Sequence, residues 1–395
     1  APGACALFGL PGSGRAMVYA ALAKETGRFL CIVTPGEAEA TRFAGDLNAL
    51  GIPTAVFPAR DYVLRPIEGT AREYEYRRLS VLGDIVGGRL QAVCVPDEGL
   101  TQYTTPRAEF CNNTRTLHPG DTVPRTELTA LLYNAGYARR AQVDGPGQFS
   151  IRGDIVDLYA PDMKLPVRME FWGDEIDTMH TFDLATQRRE DPIEKIYVSP
   201  AREVLFGSPA EAAELLRAFI KKFRGKKRTA LEACLATELA QLDGGALPVN
   251  MDKYLAVRYP QPATLLDYFD DPLLVLEEPA SLREAERATT YRRGEEISAL
   301  LQDGVLAAGL DNLYAENGYL WAQAANHRTI CAENFARSMP DMPLKDIVNA
   351  PAHTLPAWGG EVTSLLEDLQ PLCNGGAAVT VLAGTQRAAA GLAAD

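Results

Sequence analysis

Apolar residues in the first hundred positions cluster in short, almost wholly apolar runs, at residues 4–8, 29–34, 54–57 and 91–95. Runs of that length and continuity read as strands buried on both faces. Between them, residues 16–24 and 37–50 carry apolar positions at helical spacing. Strand and helix in alternation are the pattern of a parallel sheet with helices on both faces. From about residue 112 to 199 the chain becomes rich in Gly, Asp, Arg and aromatics, and residues 166–172 alternate apolar with polar. That predicts a smaller, antiparallel α/β insert. Residues 208–240 are helical again, 270–276 form a further buried strand, and 281–302 a charged helix. The first pattern returns, as though the middle domain were inserted into it.

Residues 338–356 contain Pro340, Pro343, Pro351 and Pro356, too many for a regular element, and read as a linker. Beyond it, residues 361–370 are helical and 378–383 form a strand. The expected boundaries are 1–111 and 201–337 for the two parts of the first domain, 112–200 for the insert, 338–356 for the linker and 357–395 for the start of a small C-terminal unit. The chain opens almost directly on a strand and stops at Asp395 on a following helix, as a piece of a longer protein would.

Composition narrows the function classes. At 395 residues and 47% hydrophobic, the chain can build several cores. No apolar run approaches the ~18 residues of a membrane span, so no membrane contact is expected. The seven cysteines are scattered and never spaced CxxC, and the four histidines are isolated. This predicts a reducing cytoplasm, no disulfides, no metal site and no cofactor. A net charge of −13 disfavours a duplex-binding role for the chain as a whole. Lys221, Lys222, Arg224, Lys226, Lys227 and Arg228 form the strongest basic run. Its plain reading is the solvated C-terminal end of a helix starting near Pro209, with a phosphate or partner contact as the alternative.

Three motifs carry candidate chemistry. Gly9-Leu10-Pro11-Gly12-Ser13-Gly14-Arg15-Ala16 lies between a predicted strand and a predicted helix, the setting of a GxxxxGK[ST] phosphate loop. Its glycines (Gly9, Gly12, Gly14) suit close backbone approach to an anion. However, Arg15 stands in place of the lysine, and Ala16 has no hydroxyl to hold Mg²⁺. The second motif, Leu273-Leu274-Val275-Leu276-Glu277-Glu278, has the shape of a strand leading to a metal-holding carboxylate pair, with Glu277 where Asp is usual. Metal-assisted phosphoryl transfer should not survive these changes. Alone, each motif also reads as a plain glycine-rich turn or a strand ending in acids.

The third motif is longer. Gly136-Tyr137-Ala138-Arg139 leads to residues 145–159 (GPGQFSIRGDIVDLY), 166–177 (PVRMEFWGDEID) and 182–188 (FDLATQR). This ordered series resembles domain 2 of the UvrB family and, within that family, its transcription-repair coupling branch. Residues 262–269 (PATLLDYF), running into the acidic box, are similar to the matching UvrB stretch. The resemblance covers roughly residues 7–300. In UvrB the phosphate loop is intact and a long aromatic hairpin grips DNA. Here the stretch between Phe57 and Arg72 is short and holds only Tyr62 as an aromatic.

The resemblance implies an α/β fold: a degenerate P-loop (RecA-like) parallel-sheet domain with an inserted smaller α+β domain, plus a small C-terminal α/β unit. It implies a module that recruits UvrA without its own ATPase activity. In a full-length factor, RNA polymerase and DNA would be engaged through domains outside this sequence, as an ATP-dependent translocase. Residues 145–188 would meet UvrA, with Arg152, Arg168, Glu170, Asp174, Phe182, Asp183 and Arg188 as the contact set. Several have structural readings beside the functional one: Phe171 and Phe182 as core, Asp154 and Asp157 as turn caps, and Arg168 paired with Glu170 on one strand face. The alternatives are an NTPase or a DNA-binding UvrB-like repair protein. Salt dependence separates DNA binding from protein docking, because phosphate binding collapses as salt rises while a mixed polar and aromatic contact weakens far less.

Overall fold

The computed structural model describes residues 3–65, 72–335, 342–350, 361–381 and 385–394. Residues 1–350 and 351–395 form two separate compact units.

The first unit begins with β1 (Gly3–Phe8), α1 (Gly12–Thr26), β2 (Leu30–Thr34), α2 (Glu37–Ala49), β3 (Thr54–Val56), α3 (Glu73–Val86), β4 (Ala92–Pro96), α4 (Asp97–Leu100) and α5 (Arg107–Asn112). β2 and β4 are buried at every position, as their almost wholly apolar runs require. Gly27 closes α1 in the left-handed conformation, φ 63°, with its N–H on the Ala23 carbonyl.

The middle segment supplies β5 (Arg115–Leu117), α6 (Arg125–Asn134), β6 (Ala138–Arg139), β7 (Gln148–Arg152), β8 (Ile155–Tyr159), β9 (Val167–Trp172), β10 (Glu175–Phe182), β11 (Arg189–Pro192) and β12 (Ile196–Val198). β6 to β11 form a mixed six-stranded sheet in the order β11-β10-β9-β8-β7-β6, and β5 pairs with β12 separately. Only β6–β7 is parallel; β7 through β11 are antiparallel neighbours. One face, with Phe149, Val156, Met169 and Met179, packs on Leu128 and Leu132 of α6. The other carries the polar residues of the alternation.

Then come α7 (Pro209–Lys221), α8 (Gly225–Cys234), α9 (Ala236–Asp243), α10 (Leu255–Arg258), β13 (Leu273–Glu277), α11 (Pro279–Gln302), α12 (Tyr319–Asn326), β14 (Arg328–Glu333) and β15 (Leu344–Asn349). Ser208 caps α7 by accepting the Glu211 N–H at 3.1 Å, with Pro209 opening the helix. α7 to α10 surround a core of their own, with Leu216, Leu231, Tyr254 and Leu255, rather than covering the large sheet. The basic run differs from its expected setting. Lys221 and Lys222 end α7, but Lys226, Lys227 and Arg228 open α8, because Gly225 at φ 59° turns the chain.

The seven-stranded sheet has the order β15-β1-β14-β13-β2-β4-β3 and is parallel throughout. Tyr19, Phe43 and Leu47 pack on one face, and Leu79, Leu82 and Leu320 on the other. The supposed linker is where the structure departs most from sequence expectation: its residues 344–349 form β15, an edge strand beside β1. Pro343 precedes the strand without entering it, so no ladder donor is lost. Residues 338–341 and 351–356 of that stretch lie outside the described residues.

The second unit contains α13 (Val362–Asn374) and α14 (Gln386–Ala394). Of the strand expected at 378–383, residues 378–381 have no regular structure and the rest lies outside the described residues. Among the described residues no helix is long and apolar enough to cross a membrane.

Candidate functional site

The first candidate site lies where β1 and β13 end. Both strands run in the same direction with β14 between them, so the Gly9–Ala16 loop and the Glu277–Glu278 pair arrive at one edge of the sheet. Gly9 turns the chain at φ 85°, and a Cβ there would sit 2.5 Å from the Ala350 carbonyl oxygen. The helix starts at Gly12, against which the Arg42 side chain packs. Gly14 and Arg15 therefore belong to α1, and the Arg15 N–H already donates to the Pro11 carbonyl at 2.9 Å.

Arg15 is 3% exposed and turns its guanidinium inward. It pairs with Glu277 at 2.7 Å and Glu278 at 2.9 Å. It also donates to the Ala332 carbonyl at 3.3 Å and to Asn334 at 3.5 Å. Tyr19 donates a short hydrogen bond to the other Glu277 oxygen. Glu278 takes a left-handed backbone, φ 49°, with its N–H on the Ala332 carbonyl at 2.8 Å. A magnesium nucleotide does not fit these residues. An internal guanidinium already holds both carboxylates, and buried Ala16 offers no ligand oxygen.

Burial pushes the Glu277 carboxyl up to about 7, against the opposing pull of Arg15. A carboxyl raised in the fold adds stability fully present below its ordinary 4.5 and lost as pH rises through 7. Glu277→Gln removes this dependence. Between pH 4.5 and 7 the melting temperature of the parent is expected to fall by a few degrees more than that of the variant, as read by circular dichroism. Parallel curves would show that Glu277 titrates normally.

The second candidate site is the outer face of the mixed sheet. Strand register sets Asp157 of β8 directly opposite Arg168 of β9. Arg168 clasps Asp157 with Nε at 2.7 Å and Nη2 at 2.9 Å. Arg152 of β7 reaches the same carboxylate at 2.6 Å. Arg168 also donates to the Gln187 carbonyl at 3.2 Å and lies 4.7 Å over the Phe182 ring. Hydrogen bonding to Asp157 raises its pKa further, so it stays charged. The expected Arg168–Glu170 pair is not formed. Glu170 pairs instead with Arg189 and accepts from Thr178 at 3.3 Å, because Asp157 faces Arg168 across the ladder.

The remaining expected contact residues divide. Phe182 is fully buried; it supports Arg168 and offers no surface to a partner. Asp183 accepts the Thr186 N–H and hydroxyl, both at 2.8 Å, and those bonds hold its carboxyl below the usual range; it closes a turn. Asp174 and Arg188 are exposed, and Arg188 makes no ion pair among the described residues. Sequence reasoning overlooked Trp172, which ends β9 on the same face as Arg168 and Glu170 and is 84% exposed. The signal was present: residues two apart on a strand share a face. Asp157 was read as a turn cap and is fully buried, a role only the cross-strand register reveals.

The family model of the UvrB interaction domain matches residues 116–204. Among curated relatives, the transcription-repair-coupling factor of Bacillus subtilis (strain 168) is 26% identical over 375 residues, 92% of this chain and 32% of its own length. That of Staphylococcus haemolyticus (strain JCSC1435) is 26% identical over 309 residues, 75% of this chain and 26% of its own. That of Staphylococcus epidermidis (strain ATCC 12228 / FDA PCI 1200) is 23% identical over 391 residues, 96% of this chain and 33% of its own. The similarity thus runs over most of this chain, which spans about a quarter to a third of the length of the curated relatives it matches.

Proposed function

We propose that this chain, similar over most of its length to transcription-repair-coupling factors, is a docking module that recruits UvrA in transcription-coupled nucleotide excision repair. The observation that carries the reading is the UvrB interaction domain match on a sheet with a polar, arginine-bearing outer face and an exposed Trp172. Exposed aromatics beside arginines are the usual anchors of protein interfaces. In this reading residues 112–200 form the docking domain, inserted between 1–111 and 201–337 of a parallel-sheet domain derived from a P-loop fold. The position of β14 between β1 and β13 and the loop at Gly9 support that descent. The module has no ATPase activity of its own, because Arg15 occupies the carboxylates that would hold magnesium. RNA polymerase contact and ATP-driven DNA translocation belong to other parts of a longer factor.

The experiment is binding of purified UvrA to this chain, with an Arg168→Ala, Arg188→Ala double variant alongside and salt as the second variable. The expected result is a complex that the double variant weakens at least about tenfold and that survives salt at which phosphate contacts are lost. Magnesium and ATP should change neither its stability nor its affinity. Absence of a UvrA complex at micromolar concentrations would refute the docking reading.

A further inference from the structure

Resting on the docking reading, we infer that Asp157 is a positioning residue: it sets the Arg152 and Arg168 guanidiniums in one fixed geometry, and partner capture depends on that geometry more than on charge.

Asp157 is fully buried on the outer face of the sheet, beside buried Ser150 and Phe182 and beneath the part-exposed Arg152. Its Oδ1 accepts Arg168 Nε, and its Oδ2 accepts both Arg168 Nη2 and Arg152 Nη2. One carboxylate therefore balances two guanidiniums and leaves a net positive cluster. Arg168 is held on three sides: Asp157, the Gln187 carbonyl and the Phe182 ring. Its rotamer is determined before any partner arrives, so little side-chain entropy is lost on docking. Arg152 has 46% of its side chain exposed, and Nη2 alone of its guanidinium nitrogens has a partner among the described residues. Its other donors are available to a second acceptor. Arg168 has 12% of its side chain exposed and every guanidinium nitrogen engaged, so Arg152, aimed by the shared carboxylate beside it, is the fork that meets carboxylates or carbonyls on an acidic protein surface, by direction as well as charge.

Charge and geometry make opposite predictions for Asp157→Asn. The variant leaves both arginines and makes the cluster one unit more positive. Attraction by charge alone would then strengthen capture of an acidic partner, most of all at low salt. Loss of the shared carboxylate would free both forks and weaken it.

The test is purified UvrA binding at low and high salt by Asp157→Asn, the Arg152→Ala, Arg168→Ala double variant, and the triple variant, each first shown folded by circular dichroism and melting. Asp157→Asn is expected to bind about tenfold more weakly at both salts, and the triple variant no more weakly than the double, since Asp157 acts only through the two arginines. Should Asp157→Asn fail to fold, Asp157→Glu takes its place. It keeps the charge, displaces both forks by a methylene, and is expected to lose binding similarly. Affinity equal to or above the parent for the folded variant, or a triple variant weaker than the double by the full single-variant factor, would overturn the positioning role while leaving UvrA docking intact. A parent chain that does not bind UvrA would overturn the docking reading and this role together.

Discussion

Glu203→Ala is expected to destabilise the first unit by roughly 3–5 kcal/mol, the range for removing one partner of a buried ion cluster. Glu203 follows the last strand of the mixed-sheet segment and is fully buried. Arg78, also fully buried, donates to it at 2.6 Å. Arg60 lies 3.4 Å away and clasps Asp252 with two bonds of 2.7 and 2.9 Å. The Glu203 N–H donates to Glu75 at 3.0 Å, and its carbonyl accepts from Thr105. Arg78 also stacks 4.1 Å over Phe57. Two distant stretches of chain, at Arg60 and Arg78, thus meet on one carboxylate, with Asp252 paired to the first of them. Alanine would leave two guanidiniums facing each other with Asp252 as the main remaining counter-charge. Because a domain is stable by only about 5–15 kcal/mol, the loss should show as a large fall in the urea midpoint and in soluble yield. A second change, Arg78→Met, should recover part of it by removing the uncompensated cation. A Glu203→Ala midpoint within error of the parent would mean that water or rearrangement satisfies the cluster.

Trp172→Ala is expected to weaken UvrA binding by about 2 kcal/mol, near thirtyfold, the size of a buried aromatic hot spot. Trp172 is 84% exposed in the free chain, so its removal deletes little internal packing. Melting should be unchanged while the dissociation rate rises, because interface truncations act mainly through dissociation. Trp172→Phe should retain most of the affinity. Calorimetry with purified UvrA separates the outcomes. Unchanged affinity for Trp172→Ala would place the contact elsewhere on the module.

Much of this architecture is legible along the chain. The runs at β1, β2, β4 and β13 read as buried strands because each is mainly apolar, and the charged helix expected at 281–302 is α11, Pro279–Gln302. β14 was missed although it is central: Arg328-Thr329-Ile330-Cys331-Ala332-Glu333 carries charges at both ends, and only its neighbours make it a strand. β15 was missed because flanking prolines hid a run that is not itself interrupted. The stretch 208–240 reads as helix and holds α7, α8 and most of α9, yet nothing local tells that these helices bury their apolar faces on one another, or that α10 joins them.

The same division runs through the sites. The absence of a lysine and a hydroxyl at Arg15 and Ala16 is a property of the sequence alone, and it suffices to doubt phosphoryl transfer. That Arg15 folds back onto Glu277 and Glu278 is decided by a parallel sheet that brings residues far apart in the chain to one edge. The alternation in β9 determines that Arg168, Glu170 and Trp172 share a face. Which of them is free is decided by register: Asp157 across the ladder takes Arg168, Arg189 takes Glu170, and Trp172 is left to solvent. Periodicity is local and survives in the sequence. The pairing of charges follows from distances that exist only once the strands are side by side.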